Sequence, residues 1–187
     1  VLEILNKNFF LNKNFTSSLD QDLVEKYIDV YKLQSGNSDK KLIKKLLNYT
    51  ITPDKRDEII EFLLNYFDLS SNVNNFYLTQ KEIKYISDLG MIIGSHTHSH
   101  KVLSDLSYND QYNEIKMNTT FLENIICKKV NIIAYPYGGK DSYNKLTLKA
   151  LTDLKFKLAF NVDQKDTHHE DFKFNCFEIP RYDCNRF

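Results

Sequence analysis

Hydrophobic positions recur with a helical period through the N-terminal part of the chain. From about Ser17 to Phe67, apolar side chains return every three or four residues, which is the spacing of an amphipathic helix. Turn-forming residues interrupt this pattern at Gly36 to Ser38 and again at Pro53. The pattern therefore predicts a helical insert or cap of three short helices at residues 17–67, whose apolar faces pack against one another.

After residues 72–75 the pattern changes to alternating helices and strands. Thr79 and Glu82 have the spacing of a helix capping box, and Gly90 is a typical helix stop. Two further helices are predicted at Tyr108 to Ile126 and Tyr143 to Leu154, and three strands at Met91 to Ser95, Val130 to Tyr135 and Leu158 to Val162. Helices that separate consecutive strands predict parallel strands with right-handed crossovers, so we expect an α/β fold.

A histidine-rich loop follows the first predicted strand, at the strand end where parallel α/β folds place their sites. Three of the five histidines of the chain stand at positions 96, 98 and 100. Neutral imidazole is a common ligand for transition metals, and the spacing of His96 and His100 lets both rings point at one ion. His98, between them, is expected to face away. The alternative is a polar loop that is merely rich in histidine.

A catalytic metal site usually has three protein ligands, so two histidines leave one ligand to be found. We expect a carboxylate from another strand end, and Asp141 and Asp183 are candidates by position. Zinc is the first choice of metal for histidine and carboxylate ligands, although Co, Ni or Fe also suit this set.

A second motif, Tyr135-Pro136-Tyr137-Gly138-Gly139, follows the next predicted strand. Proline restricts one φ angle and glycine permits tight turns, so backbone N–H groups can be presented to a ligand there. An amide in that position could stabilise an oxyanion. The alternative is an ordinary turn after a strand.

Composition removes several classes of function. The chain has 187 residues, which fits a single domain, and 25 basic residues balance 25 acidic ones. A net charge of zero offers no electrostatic basis for binding nucleic acid or an anionic membrane. No apolar run approaches the roughly 20 residues of a membrane helix. Three cysteines without a CxxC spacing suit a reducing compartment, so a cytoplasmic location is expected.

Three segments, at residues 89–107, 132–139 and 179–187, resemble the polysaccharide deacetylase family, the NodB-homology carbohydrate esterases. The resemblance covers about Tyr77 to Phe187 and rests on a His-Thr-x-x-His loop paired with a downstream Pro-Tyr-Gly turn. It implies a partial, irregular (β/α) barrel at residues 77–187. It also implies a metal-dependent hydrolase that removes N-acetyl or O-acetyl groups from a sugar or polysaccharide substrate.

The resemblance assigns roles to residues of both motifs. It implies that His96 and His100 bind the metal, and that Tyr137 belongs to the acetyl-binding turn, with its backbone N–H holding the oxyanion. The residues around Tyr137 are expected to bind substrate: Tyr135, Pro136 and Gly138. Tyr135, Tyr143 and Tyr182 are further expected to offer rings that stack on a sugar.

Three departures from the family pattern shape the expectation. Family members carry a Thr/Ser-Phe-Asp-Asp-Gly stretch, whose aspartates are the catalytic base and a metal ligand. This chain lacks that stretch and opens with Val1, so we expect a single, incomplete domain that lacks its first strands. Ala134 stands where many members have arginine, and Arg181 is expected to supply that guanidinium. No Leu-x-His supplies the catalytic acid near the end, and His168-His169 is read as surface loop.

The leading hypothesis is a metal-dependent sugar N-deacetylase of surface glycan metabolism, inactive as these residues alone. A second hypothesis is a non-catalytic, deacetylase-like module that binds carbohydrate. A third is an unrelated α/β domain with a fortuitous histidine loop.

Overall fold

The computed structural model describes residues 5, 21–27, 37–69 and 76–182, and the chain divides into two compact units. The first unit is Val1–Tyr77 with Asn185–Phe187, and the second is Leu78–Cys184. Residues 17–20 and 28–36 of the predicted insert lie outside the described residues, as does the candidate ligand Asp183. The predicted division into an insert at residues 17–67 and a barrel part at residues 77–187 stays a prediction.

The described part of the first unit is helical, as the periodicity predicted. Its helices are α1 (Gln21–Lys26), α2 (Ser38–Lys45) and α3 (Pro53–Tyr66), and a single wide turn, Leu46–Thr50, extends α2. The Asn37 side chain caps α2 by accepting a hydrogen bond from the Asp39 N–H at 2.7 Å. The apolar faces meet in one cluster, formed by Leu5, Ile43, Leu47, Ile51, Ile59, Phe62 and Leu63.

The second unit alternates helices with short strands. Its elements are α4 (Gln80–Asp88), α5 (Tyr108–Ile126), β1 (Ile132–Ala134), α6 (Lys145–Asp153), β2 (Leu158–Phe160) and α7 (His169–Phe174). The capping box predicted for α4 is present, because the Thr79 side chain accepts from the Glu82 N–H and the Glu82 carboxylate accepts from the Thr79 N–H. No helix in the described ranges is both long and apolar enough to span a membrane.

Four parallel segments form the sheet of the second unit. β1 pairs with β2 in parallel, with Ile133 opposite Ala159. Ser95 joins the other side of β1 and Ile179 the other side of β2, each through a single parallel bridge. A helix connects each of these segments to the next, α5, α6 and α7 in turn. The predicted parallel arrangement is therefore confirmed.

The predicted strand at Met91 to Ser95 is wrong in extent, because only Ser95 pairs with a neighbour in the described part of the chain. The Met91 N–H still donates to the Ile86 carbonyl, so hydrogen bonding to the last turn of α4 continues as far as Met91. Ile92 is 80% exposed, whereas Ile93 packs against the apolar ends of α4 and α5. The segment before Ser95 is thus an extended approach to the sheet.

The core of the second unit lies between the sheet and α5 and α6. Its fully buried side chains include Leu103, Ile115, Ile133, Tyr135, Leu151 and Ala159. Burying a large aliphatic side chain of this kind contributes about 1.5–3 kcal/mol relative to leaving it exposed. This packing holds the carboxyl ends of the parallel segments in place, and both predicted motifs begin there.

Candidate active site

The histidine loop starts at Ser95, where the chain leaves the sheet. The ring centroids of His96 and His100 lie 4.8 Å apart with the rings nearly perpendicular, and both side chains are exposed. The structure thus brings together the two histidines that the sequence paired. Two imidazoles at this separation, open to solvent, can bind one metal ion.

The orientation of the His96 ring is set by a backbone group. Its Nδ1 lies 2.7 Å from the carbonyl oxygen of Ala134, the last residue of β1. A carbonyl only accepts hydrogen bonds, so Nδ1 must carry the proton. In the neutral ring this leaves the lone pair on Nε2, which is the arrangement typical of metal-binding histidines.

The loop between the two histidines has a strained backbone. Thr97 has a φ of 65° and His100 a φ of 54°, in the left-handed region that β-branched residues such as threonine rarely adopt. Thr97 is also 5% exposed, and its Oγ1 has no hydrogen-bond partner in the described part of the chain. Such a conformation persists only where surrounding contacts impose it.

Two side chains of α5 supply those contacts. Asn118 Oδ1 accepts from the Ser95 hydroxyl at 2.8 Å and from the His96 N–H at 3.2 Å. Glu114 Oε2 accepts from the N–H groups of His98 and Ser99 at 3.2 and 2.8 Å, and its Oε1 accepts from the Ser99 hydroxyl at 2.5 Å. Sequence reasoning missed both residues. Their four-residue spacing beside the buried Gln111 and Ile115 of α5 was the available signal.

The second motif forms a tight turn around Tyr137. The Gly138 N–H donates to the Pro136 carbonyl at 2.7 Å across Tyr137, whose φ is 62°. This is the strained form of the three-residue γ-turn. Gly138 has a φ of 72°, and a Cβ atom there would lie 2.8 Å from Val162 Cγ2. Only glycine fits this position without a shift of its neighbours.

Tyr137 connects the turn to the histidine pair. Its ring lies edge-on to the His100 ring, with 4.8 Å between centroids. The Tyr137 side chain is half-buried, so part of it reaches solvent beside the exposed histidines. His96, His100 and Tyr137 therefore form one contiguous surface at the carboxyl end of the sheet.

The residues predicted to bind substrate around Tyr137 are buried, and their part in substrate binding stays a prediction. Tyr135 is fully buried because it shares the core-facing side of the chain with Ile133, two residues earlier. Its ring stacks on Tyr143 at 4.1 Å and its hydroxyl donates to the Phe177 carbonyl, and burial raises its pKa. Pro136 and Gly138 are buried as well, and the Gly138 N–H is engaged within the turn. These residues shape the turn, and little of their own surface is exposed.

The remaining candidates lie elsewhere on the unit. Arg181 is half-buried and follows Ile179 at the carboxyl end of the fourth parallel segment. In the described part of the chain its Nε has no hydrogen-bond partner. The Tyr182 ring is 41% exposed, and its hydroxyl donates to Asp166 at 2.8 Å. His168, read from the sequence as surface loop, caps α7 by accepting from the Asp171 N–H.

The described residues contain no group of three or more His, Cys, Asp or Glu side chains that could hold a metal ion. Asp141 is exposed, and its carbonyl accepts a hydrogen bond from the Ser104 hydroxyl. Among the described residues, His96 and His100 are therefore the pair that the structure brings together, and no acidic side chain joins them in a group that could hold a metal ion.

Comparison with known proteins identifies the fold. The family model for polysaccharide deacetylases matches residues 62–159, which reaches back into α3, further than the predicted start near Tyr77. The chain is similar to the Streptococcus pyogenes deacetylase PplD in complex with acetate, with a TM-score of 0.52 and 25% identity over 62% of this chain and 47% of that one. The deacetylase domain of BpsB from Bordetella bronchiseptica gives a TM-score of 0.50, with 13% identity, over 57% of this chain and 49% of that one.

Among curated sequences, the putative polysaccharide deacetylase YxkH of Bacillus subtilis (strain 168) is 29% identical over 87 residues, 46% of this chain. The chain spans 30% of the length of that relative and less than half of PplD. These matches confirm the predicted fold class, a partial α/β barrel of the deacetylase type. The chain belongs to the polysaccharide deacetylase family.

Proposed function

We propose that this chain is part of a metal-dependent hydrolase that removes N-acetyl groups from a sugar in a surface polysaccharide. The observation that carries the proposal is the convergence of His96, His100 and Tyr137 at the carboxyl end of the parallel sheet. The bound acetate of PplD, which is the product that deacetylation would release, supports the same chemistry.

The histidine pair would supply two of the protein ligands that a divalent metal site needs. His96 would bind through Nε2, because its Nδ1 is held by the Ala134 carbonyl, and His100 would bind beside it. Zinc is the proposed metal, and Co, Ni or Fe suit the same donors. A bound metal of this kind supplies Lewis-acid polarisation of the acetyl carbonyl and lowers the pKa of a water molecule.

The Tyr137 turn and Arg181 are proposed to act on the acetyl group of the substrate. The backbone N–H of Tyr137 is proposed to donate to the oxyanion that forms when the acetyl carbonyl is attacked. Support comes from the place of Tyr137 against the His100 ring. Arg181 is proposed to add a positive charge, and its buried Nε without a partner in the described part of the chain is a donor suited to that role.

A non-catalytic module that binds carbohydrate is the second candidate function. The observation that favours it is the histidine pair itself, which stands without a third ligand in the described ranges. Because the described ranges show no third ligand and the sequence lacks a Phe-Asp-Asp-Gly stretch, we expect these residues alone to release little or no acetate.

Zinc binding tests the site. Because His96 and His100 are the proposed ligands, His96→Ala and His100→Ala are each expected to lower zinc affinity about tenfold or more. His98→Ala is the matched control in the same loop, since the His98 side chain is exposed, and it should bind zinc as the parent chain does. Isothermal titration of each variant with zinc gives the answer, and unchanged affinity in both ligand variants would refute the site.

An acetate-release assay on an N-acetylglucosamine oligomer separates the two functions. Zinc binding with little or no acetate release agrees with the proposal for these residues alone. Acetate release that a chelator abolishes would show a complete enzyme and would refute the expectation that these residues are inactive. Oligomer binding that survives both histidine substitutions would favour the carbohydrate-binding module.

A further inference from the structure

We propose that Glu114 of α5 is a positioning residue for the histidine pair. Its carboxylate holds the backbone between His96 and His100 in the strained conformation that brings the two rings together. The consequence for metal binding rests on the proposed function, whereas the consequence for the loop does not.

The contacts of Glu114 are concentrated on the middle of the loop. Both carboxylate oxygens are used: Oε2 accepts from the His98 and Ser99 N–H groups, and Oε1 accepts from the Ser99 hydroxyl. An ionised carboxylate only accepts, so all three hydrogen bonds run from the loop to one charged group. Hydrogen bonds to a charged acceptor are roughly twice as strong as those between neutral groups.

The loop needs such an acceptor because it leaves the sheet. Ser95 still donates its N–H to the Ile132 carbonyl, whereas the N–H groups of His98 and Ser99 donate to Glu114 Oε2. Backbone N–H groups in native structures are almost always paired. The left-handed φ values of Thr97 and His100 stand on either side of these two residues. The hydrogen bonds to Glu114 therefore hold the two residues that lie between the strained positions Thr97 and His100.

Asn118, one helical turn further along α5, fixes the start of the same loop. It accepts from the Ser95 hydroxyl and the His96 N–H. Ser95 is thus tied to both β1 and α5, and His96 additionally to the Ala134 carbonyl. His100 follows Ser99 directly, so the hydrogen bonds from Ser99 to Glu114 also fix where the backbone enters His100.

A loop held in this way binds a metal with less loss of conformational freedom. Residues that orient metal ligands from outside the first coordination shell typically change metal affinity 10- to 100-fold when they are removed. Removing Glu114 is therefore expected to release the loop first and to weaken metal binding as a result.

The test compares Glu114→Ala, Glu114→Gln and Glu123→Ala. Glutamine removes the charge but keeps an acceptor for the two N–H groups, and its amide can donate to the Ser99 hydroxyl in place of Oε1. Glu123 is the matched control, because it lies on the same helix and also accepts a backbone N–H, that of Val130, at 3.0 Å. Each variant is measured for amide exchange of His98 and Ser99 without metal, for zinc affinity, and for stability in urea.

Glu114→Ala is expected to speed exchange of the His98 and Ser99 amides about tenfold or more, and to lower zinc affinity about 10- to 100-fold. Glu114→Gln should fall between the parent chain and Glu114→Ala in both measurements, because it keeps an acceptor for the two N–H groups but loses the charge that strengthens those hydrogen bonds. Glu123→Ala should leave both unchanged, even where it lowers stability in urea.

Unchanged exchange in Glu114→Ala would overturn the proposal, and so would an equal loss of zinc affinity in Glu123→Ala. An effect of Glu114→Gln as large as that of Glu114→Ala would also overturn it, because charge and not loop geometry would then be responsible. If the parent chain binds no zinc, the proposed function fails, and the exchange rates of the two amides still decide whether Glu114 holds the loop.

Discussion

At the scale of single residues, the site depends on backbone conformations that few side chains allow. Thr97, His100, Tyr137 and Gly138 all have φ between 54° and 72°. Three of the four are not glycine, so the surrounding hydrogen bonds must offset their strain. The Gly138 position is the one where a side chain is also excluded by contact, since its Cβ would overlap Val162.

Gly138→Ala is therefore expected to destabilise the chain by about 1–3 kcal/mol and to move the Tyr137 turn. Urea unfolding measures the loss of stability. Zinc titration reports on the movement of the turn, because the Tyr137 ring contacts the ring of the proposed ligand His100. Gly139→Ala is the matched control, because a Cβ at Gly139 would meet nothing within 4 Å. Equal stability of the two variants would show that the turn tolerates a side chain at Gly138.

The site residues that belong to a short sequence motif could be predicted from the sequence. His96, His100 and Tyr137 come together as the two motifs predicted. The burial of Tyr135 was not foreseen, because its place on the core side of the chain depends on the register of β1, which composition does not show. Glu114 and Asn118 were missed because each contacts a loop 15 to 23 residues away along the chain.

At the scale of elements, helices were predicted more closely than strands. α5 runs from Tyr108 to Ile126, as its periodicity indicated, and α4 begins at the predicted capping box. These boundaries follow from local contacts, so the sequence alone reveals them. Strand length depends on the neighbouring strand, and for that reason the predicted strand at Met91 to Ser95 shrinks to a single bridge.

The capping box makes the stability of α4 depend on pH. Hydrogen bonds from the Thr79 N–H and hydroxyl lower the pKa of Glu82 below its usual value of 4.5. A carboxyl whose pKa is lower in the folded state contributes stability above its unfolded value, and that contribution is lost as pH falls through the folded value.

Glu82→Gln should therefore flatten the acid side of the stability profile, measured by urea unfolding between about pH 3 and 7. Thr79→Ala should flatten the acid side less than Glu82→Gln does, because the residue-79 N–H still donates to Glu82 and only the hydroxyl is lost. It should also cost about 1 kcal/mol at neutral pH, because the helix loses its N-cap side chain. An acid slope in Glu82→Gln equal to that of the parent chain would contradict the assignment.

At the scale of the second unit, one edge of the sheet, on the far side of β1 from β2, is joined by a single bridge in the described part of the chain. The segment before Ser95 borders β1, and in the described part of the chain no strand pairs with its outer side. Met91 and Ile92 are 66% and 80% exposed there. An unpaired sheet edge is a template for association with another chain, and the exposed apolar side chains of Met91 and Ile92 precede Ser95, which joins the sheet at this edge.

Ile92→Lys is expected to reduce concentration-dependent self-association, because a charge at a sheet edge opposes pairing. Sedimentation velocity at several protein concentrations measures the effect. Met117→Lys, on α5, is the control, since Met117 is 52% exposed but lies on a helix. An equal reduction in both variants would mean that net charge, and not the edge, controls association.

The fold class was predictable because the alternation of helices and strands admits few topologies. The four parallel segments and their helical connections agree with that expectation. The role of the helical insert at residues 17–67 was not predictable in the same way. In its described part, side chains of α2 and α3 pack together in the cluster around Ile51 and Ile59.

The hydrogen bond from His96 to Ala134 has a consequence for how the site tolerates sequence change. The acceptor is a backbone carbonyl, and its position is set by ladder bonds on both sides, from the Ala134 N–H to Ser95 and from the Tyr135 N–H to Phe160. Any amino acid at position 134 that keeps the strand also keeps this acceptor. The side chain at position 134 can therefore change, including its charge, without disturbing the orientation of the His96 ring.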